Sequence, residues 1–184
     1  DKRVEHVIVQ QVDEKRQPIP GTEITFDVDT VLLSVGLIPE NELSRAAGLQ
    51  MDPRTNGPVV YENMETSAEG IFASGNVVHV HDLVDFVTAE SERAGRSAAK
   101  FALQGKTASN SCIAVKNGNA VNYTVPQKIR MENVDKFVEE RFRVNNVYKD
   151  MEIRVMNGDQ KLAGFKREHM APGEMEKIVI PKQL

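Results

Sequence analysis

The sequence lacks the Gly-x-Gly turn on which dinucleotide-binding domains hold a pyrophosphate, although it contains 12 glycines. Its single cysteine, Cys112, excludes an intrachain disulfide and a Cys-x-x-Cys redox pair. Because no activating base is identifiable nearby, we expect a linker or edge-strand thiol rather than a nucleophile. No apolar run approaches the roughly 20 residues that span a bilayer, and no signal-peptide pattern is present. We therefore expect a cytoplasmic protein without a membrane span.

A dense basic stripe is also missing, which excludes the usual nucleic-acid-binding surface. The 23 Lys and Arg residues are outnumbered by 27 Asp and Glu residues, for a net charge of −4. The negative excess lies in the first 107 residues, and the remainder carries a small positive excess that we interpret as a solvated sheet face. With 40% apolar residues, the chain of 184 has enough hydrophobic side chains for one or two packed domains.

The beginning of the chain predicts a β-hairpin. Strand-like runs at 4–12 and 23–33 flank a charged connection that is rich in Pro and Gly. The second run continues through the apolar segment 31–36, which predicts a strand buried on both faces.

Two helices are predicted beyond the hairpin. Pro39, acidic residues in the first turn and a glycine after the end indicate a short helix over 39–48. A 3.6-residue apolar period predicts a long helix over 83–103, which Gly105 would end.

The last third of the chain has a different pattern of residues. The polar segment 108–119 predicts a linker, and short strand-like runs separated by turn residues follow it. This spacing predicts a small, all-β, sandwich-like domain over 120–184. The expected fold class is therefore mixed α+β: a partial α/β segment with a β-hairpin, followed by the small β-sandwich.

The segment Thr66–Asn76 is the most informative motif, and it reads Thr-Ser-Ala-Glu-Gly-Ile-Phe-Ala-Ser-Gly-Asn. It predicts a turn, a short buried strand at Ile71–Ala73, and a glycine at Gly75 where the backbone approaches something closely. A long helix follows within a dozen residues. A strand, a glycine and a helix in that order offer main-chain N–H groups to a cofactor.

Two segments resemble the pyridine nucleotide-disulfide oxidoreductase family. Asp29–Glu40 reads Asp-Thr-Val-Leu-Leu-Ser-Val-Gly-Leu-Ile-Pro-Glu and is similar to the strand–Gly–x–x–Pro junction where the NAD(P)-binding domain returns to the FAD domain. Thr66–Asn76, with the helix after it, resembles the second FAD motif of that family. The resemblance implies that 1–107 comprise the end of the NAD(P) domain and the C-terminal part of the FAD domain.

The resemblance also implies a set of cofactor-binding residues. Asn76 stands where the family has an Asp that holds the FAD ribityl chain. An Asn can accept a hydrogen bond there and adds two donors, but it loses the charge-assisted contribution. The start of the long helix would direct free N–H groups at the pyrimidine edge of the flavin, although simple packing on a sheet is the alternative role for this helix. The implied cofactor-binding residues are Gly36, Gly75, Asn76, Val84, Asp85 and Phe86.

His79 and His81 are the candidate catalytic residues. Alternate positions on an extended segment face the same way, so the two imidazoles could share a metal ion. Only one carboxylate, Asp82, follows them, and no distant Cys/His cluster completes the ligand shell, so we expect no metal site. A second interpretation makes them proton donors beside a flavin edge. The third, which we expect, is that they are solvated loop histidines.

The missing glycine motif decides the expected function. Neither the ADP half of FAD nor NAD(P) has its usual turn in this chain. We expect the C-terminal portion of a longer FAD- and NAD(P)-dependent oxidoreductase, one that by itself binds FAD weakly or not at all and is inactive. Its expected partners are the rest of its own flavoprotein and a second copy, in a homo-oligomer or strand-exchanged dimer that covers open strand edges. The alternative is a non-enzymatic interaction or assembly module centred on 120–184.

Overall fold

The computed structural model describes residues 3–34, 36–105 and 111–184. The chain divides into two compact units, Asp1–Gly36 and Leu37–Leu184. The sequence-based domain boundary at 108–119 stays a prediction, and residues 108–110 of that linker lie outside the described residues. Among the helices of the described residues, none has the length and apolar character needed to cross a membrane.

The first unit is an antiparallel β-hairpin. Strand β1 (His6–Val9) pairs with strand β2 (Ile24–Asp27), so that His6 stands opposite Asp27. The connection is closed by a β-bridge between Val12 and Pro18. The predicted hairpin with a long loop is confirmed.

The apolar segment after the hairpin does not form the predicted buried strand. Residues 31–34 have no regular secondary structure, and Val35 lies outside the described residues. Leu32 and Leu33 are 91% and 81% exposed. The prediction is wrong for residues 31–34. No strand among the residues that the structure describes pairs with this segment, so neither of its faces is covered.

Both predicted helices are present. Helix α1 (Glu42–Ala46) is a short helix, and helix α2 (Val84–Gln104) has 21 residues. Helix α2 ends at Gly105, whose φ of +73° lies in the left-handed region that only glycine adopts at little cost.

The strands beyond α2 follow the predicted runs but divide among three sheets. The sheet with the most strands beyond α2 has the order β4-β6-β9, while β7 pairs with β8 and β3 pairs with β5. A sandwich-like domain is not confirmed, and the fold is mixed α+β. The strands are β3 (Ile113–Ala114), β4 (Val121–Val125), β5 (Lys128–Ile129), β6 (Phe137–Val144), β7 (Tyr148–Asn157), β8 (Gln160–Met170) and β9 (Glu176–Pro181).

The hydrophobic core links α2 to the β-strands that follow it. One buried cluster combines residues before α2, on α2 and on β4, namely Val60, Met64, Val78, Ala94, Tyr123 and Val125. A second cluster packs the β7–β8 hairpin against the three-stranded sheet around Phe142 and Ile178. The segment that carries the sequence motif therefore shares its core with strands that lie far beyond it in the chain.

Candidate functional site

The turn that precedes α2 is held by backbone hydrogen bonds rather than by a strand. The N–H of Thr66 donates to the carbonyl of Ile71 across 2.8 Å, and Phe72 makes a single bridge to Glu65. Ile71 is 41% exposed. The prediction of a buried strand over Ile71–Ala73 is wrong, because the tight turn leaves only one residue pair in position to bridge.

Gly75 occupies a position that demands glycine. Its φ is +71°, and a Cβ there would lie 3.3 Å from a methyl carbon of Val87 on α2. The residue is buried, and its N–H donates to Oε1 of Glu90 across 2.8 Å. The close approach predicted at Gly75 is therefore an approach to the side chains of α2.

Asn76 follows in an exposed position. Its Oδ1 accepts a hydrogen bond from the backbone N–H of His81 across 3.1 Å, which closes the turn. Its amide nitrogen has no hydrogen-bond partner among the described residues. The side chain thus has both N–H donors available for a ligand, while its oxygen already serves the fold.

Helix α2 begins without a side-chain cap. Leu83 is extended at the N-cap position and makes no capping hydrogen bond. Val84 and Asp85 are exposed, and their backbone N–H groups have no acceptor among the described residues. Phe86 is half-buried, with the guanidinium of Arg141 5.0 Å from its ring centre. The first turn of α2 therefore presents free amides to solvent.

The remaining implied cofactor residue, Gly36, is the last residue of the first unit. It is exposed, and a Cβ there would meet no atom within 4 Å. Gly75 and Asn76 are brought together with α2 by contacts inside the second unit.

His79 and His81 are buried, with exposures of 1% and 7%. The expectation of solvated histidines is wrong, because Glu90 of α2 binds both rings. Nε2 of His79 lies 2.8 Å from Oε2 of Glu90, and Nε2 of His81 lies 3.2 Å from Oε1. The ring centres of the two imidazoles are 4.4 Å apart, with an edge-to-face angle of 64°.

The protonation of this cluster follows from its hydrogen bonds. Burial would raise the pKa of Glu90, but the hydrogen bonds from His79 and His81 outweigh burial and hold the pKa at about 2. Burial also lowers the pKa of His79 below its ordinary value, and the hydrogen bond to Glu90 only partly offsets this. Near neutral pH the cluster contains an ionised carboxylate beside a neutral His79 ring.

Two residues of the C-terminal strands complete the surroundings of the cluster. The ring of Tyr123 on β4 stands edge-on to His79 with 5.7 Å between centres, and burial raises the pKa of its hydroxyl. That hydroxyl accepts a hydrogen bond from Nε of Arg143 on β6 across 3.1 Å. A second nitrogen of Arg143 donates to the carbonyl of Val80 across 3.0 Å. Strands β4 and β6 are thus part of the site.

Sequence reasoning missed Glu90, Tyr123 and Arg143. A signal for Glu90 did exist, since it lies three residues after Val87 and four before Ala94, on the face that α2 buries. A carboxylate on an apolar face needs a partner. Tyr123 and Arg143 had no local signal, because their contacts with the site depend on tertiary packing.

The comparisons with known proteins place the motif in a family. A family model described as pyridine nucleotide-disulphide oxidoreductase matches residues 1–92, which is half of the chain. Putidaredoxin reductase CamA of Pseudomonas putida is 47% identical over 61 residues, which cover 33% of this chain and 13% of that reductase. No solved structure matches. Since the family model spans both the Gly36 junction and the Thr66–Asn76 motif, the chain belongs to the pyridine nucleotide-disulphide oxidoreductase family.

Proposed function

We propose that this chain supplies the part of an FAD-dependent oxidoreductase that contacts the ribityl chain and the isoalloxazine ring. The family match supports the cofactor, and NAD(P) would be the second cofactor of the complete flavoprotein. The ADP half of the FAD site and the NAD(P) turn lie outside this chain, since it contains no Gly-x-Gly. Bound FAD would supply the ring that exchanges a hydride with the nicotinamide.

The free N-terminus of α2 is the observation that carries this proposal. A 21-residue helix with unpaired N–H groups at Val84 and Asp85 stabilises negative charge on a bound group. A reduced flavin carries such charge at its pyrimidine edge. The guanidinium of Arg141 lies 5.0 Å from the ring centre of Phe86, a cation–π contact that helps to hold the first turn.

Asn76 fits the ribityl chain through its donors rather than its acceptor. Its Oδ1 is engaged by the N–H of His81, so a ribityl hydroxyl would accept from the amide nitrogen. An ionised Asp at this position could preserve the turn but would offer no donor. With Asn76 in place of the family's Asp, the protein donates the hydrogen bond and the ribityl hydroxyl accepts it. The contact between the side chain and the ribityl chain is kept.

Flavin retention tests the proposal. The chain is mixed with FAD, desalted and examined for the visible flavin band, beside a longer protein that includes the coding sequence upstream of Asp1. We expect the chain alone to retain little or no flavin and to be inactive, and the longer protein to retain about one equivalent. Stoichiometric flavin on the chain alone would contradict the incomplete site.

The contact of Asn76 is tested separately in the longer protein. Asn76→Ala removes both donors and is expected to weaken flavin retention about fivefold to tenfold, the value of one or two hydrogen bonds. Asn146→Ala is the matched control, because Asn146 is exposed and its oxygen only meets the neighbouring N–H of Val147. Equal retention by the two variants would show that Asn76 does not touch the flavin.

A second candidate function is assembly, and one feature of the β-strands favours it. The β7–β8 hairpin pairs with no third strand among the described residues, so both of its outer edges are open. Met151 and Met156 of β7 are 43% and 47% exposed. We propose that a homo-oligomer or strand-exchanged dimer covers these edges, and light scattering at high concentration tests this. A monomer at all concentrations would contradict it.

A further inference from the structure

We propose that His79, His81 and Glu90 form a binding site for one zinc ion. Each residue offers a ligand atom, and these atoms lie within 4.8 Å of one another. Two come from the turn that follows Gly75, and the third comes from α2. Two imidazoles and one carboxylate are a ligand set that zinc uses in sites with three protein ligands and an open fourth position.

The distances in the cluster suit tetrahedral coordination. Zinc bonds of about 2.0–2.1 Å separate neighbouring ligand atoms by about 3.3 Å. The two pairs that involve Glu90 are 2.8 Å and 3.2 Å apart. These two pairs use different oxygens of the Glu90 carboxylate, and all three ligand atoms lie within 4.8 Å of one another, so they must move by up to about 1.5 Å to surround one ion.

Both imidazole rings face the proposed site through Nε2. Nδ1 of His79 and Nδ1 of His81 are buried and have no hydrogen-bond partner within the described ranges 3–34, 36–105 and 111–184. Only the groups at Nε2 therefore orient the rings, and both Nε2 atoms converge on one carboxylate. A metal at Nε2 moves the ring proton to Nδ1, and each Nδ1–H then needs an acceptor such as a water molecule.

The surroundings hold the ligands in place and favour zinc over harder cations. The N–H of Gly75 donates to Oε1 of Glu90, and Asn76 fixes the backbone at His81. Second-shell hydrogen bonds of this kind orient metal ligands. Imidazole ligands select zinc and similar transition metals, whereas magnesium and calcium take oxygen. The side chains of the cluster are at most 2% exposed, so the ion would exchange slowly.

Metal content after reconstitution tests the proposal. The full chain is stripped with a chelator, incubated with Zn²⁺, desalted and analysed by elemental mass spectrometry. Co²⁺ is used in parallel, because its visible spectrum reports tetrahedral coordination. We expect about one retained ion, an intense cobalt band and a higher Tm in Zn²⁺ than in chelator. Retention below about one tenth of an equivalent would overturn the proposal.

Matched variants locate the ion. Glu90→Gln is expected to lower zinc retention at least tenfold, whereas Glu92→Gln, an exposed residue two positions along α2, leaves it unchanged. His6→Gln with His169→Gln removes the other two histidines and is expected to keep one ion. Loss of the ion in that double variant would overturn the assignment, and this measurement requires no change in the buried cluster.

Discussion

Arg143 on β6 donates a hydrogen bond to Asp82, with 2.6 Å between Nη2 and Oδ1. The second carboxylate oxygen of Asp82 accepts from the backbone N–H of Met175 across 2.9 Å. Asp82 lies two residues before α2 and within the range of the family match, whereas both of its partners lie beyond residue 92. The C-terminal strands therefore help to position the start of α2.

Replacement of Arg143 should reveal this role. Arg143→Met removes one hydrogen-bond donor from each of three groups, the carbonyl of Val80, the carboxylate of Asp82 and the hydroxyl of Tyr123. We expect a loss of about 1.5–3 kcal/mol in the free energy of unfolding, measured by urea denaturation. Arg154→Met is the control, since Arg154 is 64% exposed and pairs only with Glu152 among the described residues. It should change stability by less than about 0.5 kcal/mol, and equal losses would contradict the prediction.

Two glycine-to-alanine changes should act in opposite directions. A Cβ at Gly57 would overlap the backbone of Val78, so Gly57→Ala should cost about 1–3 kcal/mol. A Cβ at Gly95, inside α2, would meet nothing within 4 Å. Gly95→Ala should therefore add about 0.5–1 kcal/mol of stability through helix propensity. The Tm of both variants, measured by thermal unfolding, tests these two expectations. A higher Tm for Gly57→Ala would show that the turn at Gly57 can move to make room for the methyl group.

Glu140 should make the stability depend on pH. Burial raises its pKa well above the ordinary value, with an opposing effect from Arg93, and neither carboxylate oxygen has a hydrogen-bond partner in the part of the chain that the structure describes. Because the folded state holds this proton more tightly than the unfolded state, stability falls as pH rises above about 4.5. Glu140→Met should add about 1–3 kcal/mol at pH 7 and less at pH 4.

Denaturation of wild type and Glu140→Met across pH measures this effect. Glu140→Gln is the matched control, because it keeps the polar shape but cannot ionise. A gain from Glu140→Met that is as large at pH 4 as at pH 7 would show that ionisation of Glu140 plays no part.

Arg130 should not tolerate lysine. Its guanidinium pairs with Glu65 at 2.6 Å and Glu62 at 3.2 Å, and lies 4.0 Å from the ring centre of Tyr61. Lysine keeps the charge but loses the planar fork and the stacking, so Arg130→Lys should cost about 1–3 kcal/mol in urea denaturation. Arg96→Lys, at an 81% exposed position on α2, should be neutral. An Arg130→Lys variant with unchanged free energy of unfolding would show that only the positive charge matters at this position.

Patterns of neighbouring residues predicted the helices and strands that depend mainly on their own sequence. The 3.6-residue period and Gly105 predicted α2, and alternating runs predicted the hairpin and the later strands. The segment 31–34 was predicted wrongly because burial depends on a partner strand, which no local pattern supplies. His79 and His81 were placed in solvent for a similar reason, since their partner Glu90 is on another element. The resemblance identified the family. The buried cluster of His79, His81 and Glu90 could be recognised only from the folded structure.

Tyr123 and Val125 occupy the same hydrophobic cluster as Val78 and Ala94, so the cluster joins the two portions of the chain. The portion that matches the family does not fill its own core, because Tyr123 and Val125 lie on a strand that the match does not reach. Any recombination that exchanged one portion without the other would leave a cavity beside α2. A change in the size of a side chain at any of these four positions is therefore expected to disturb the packing of both portions.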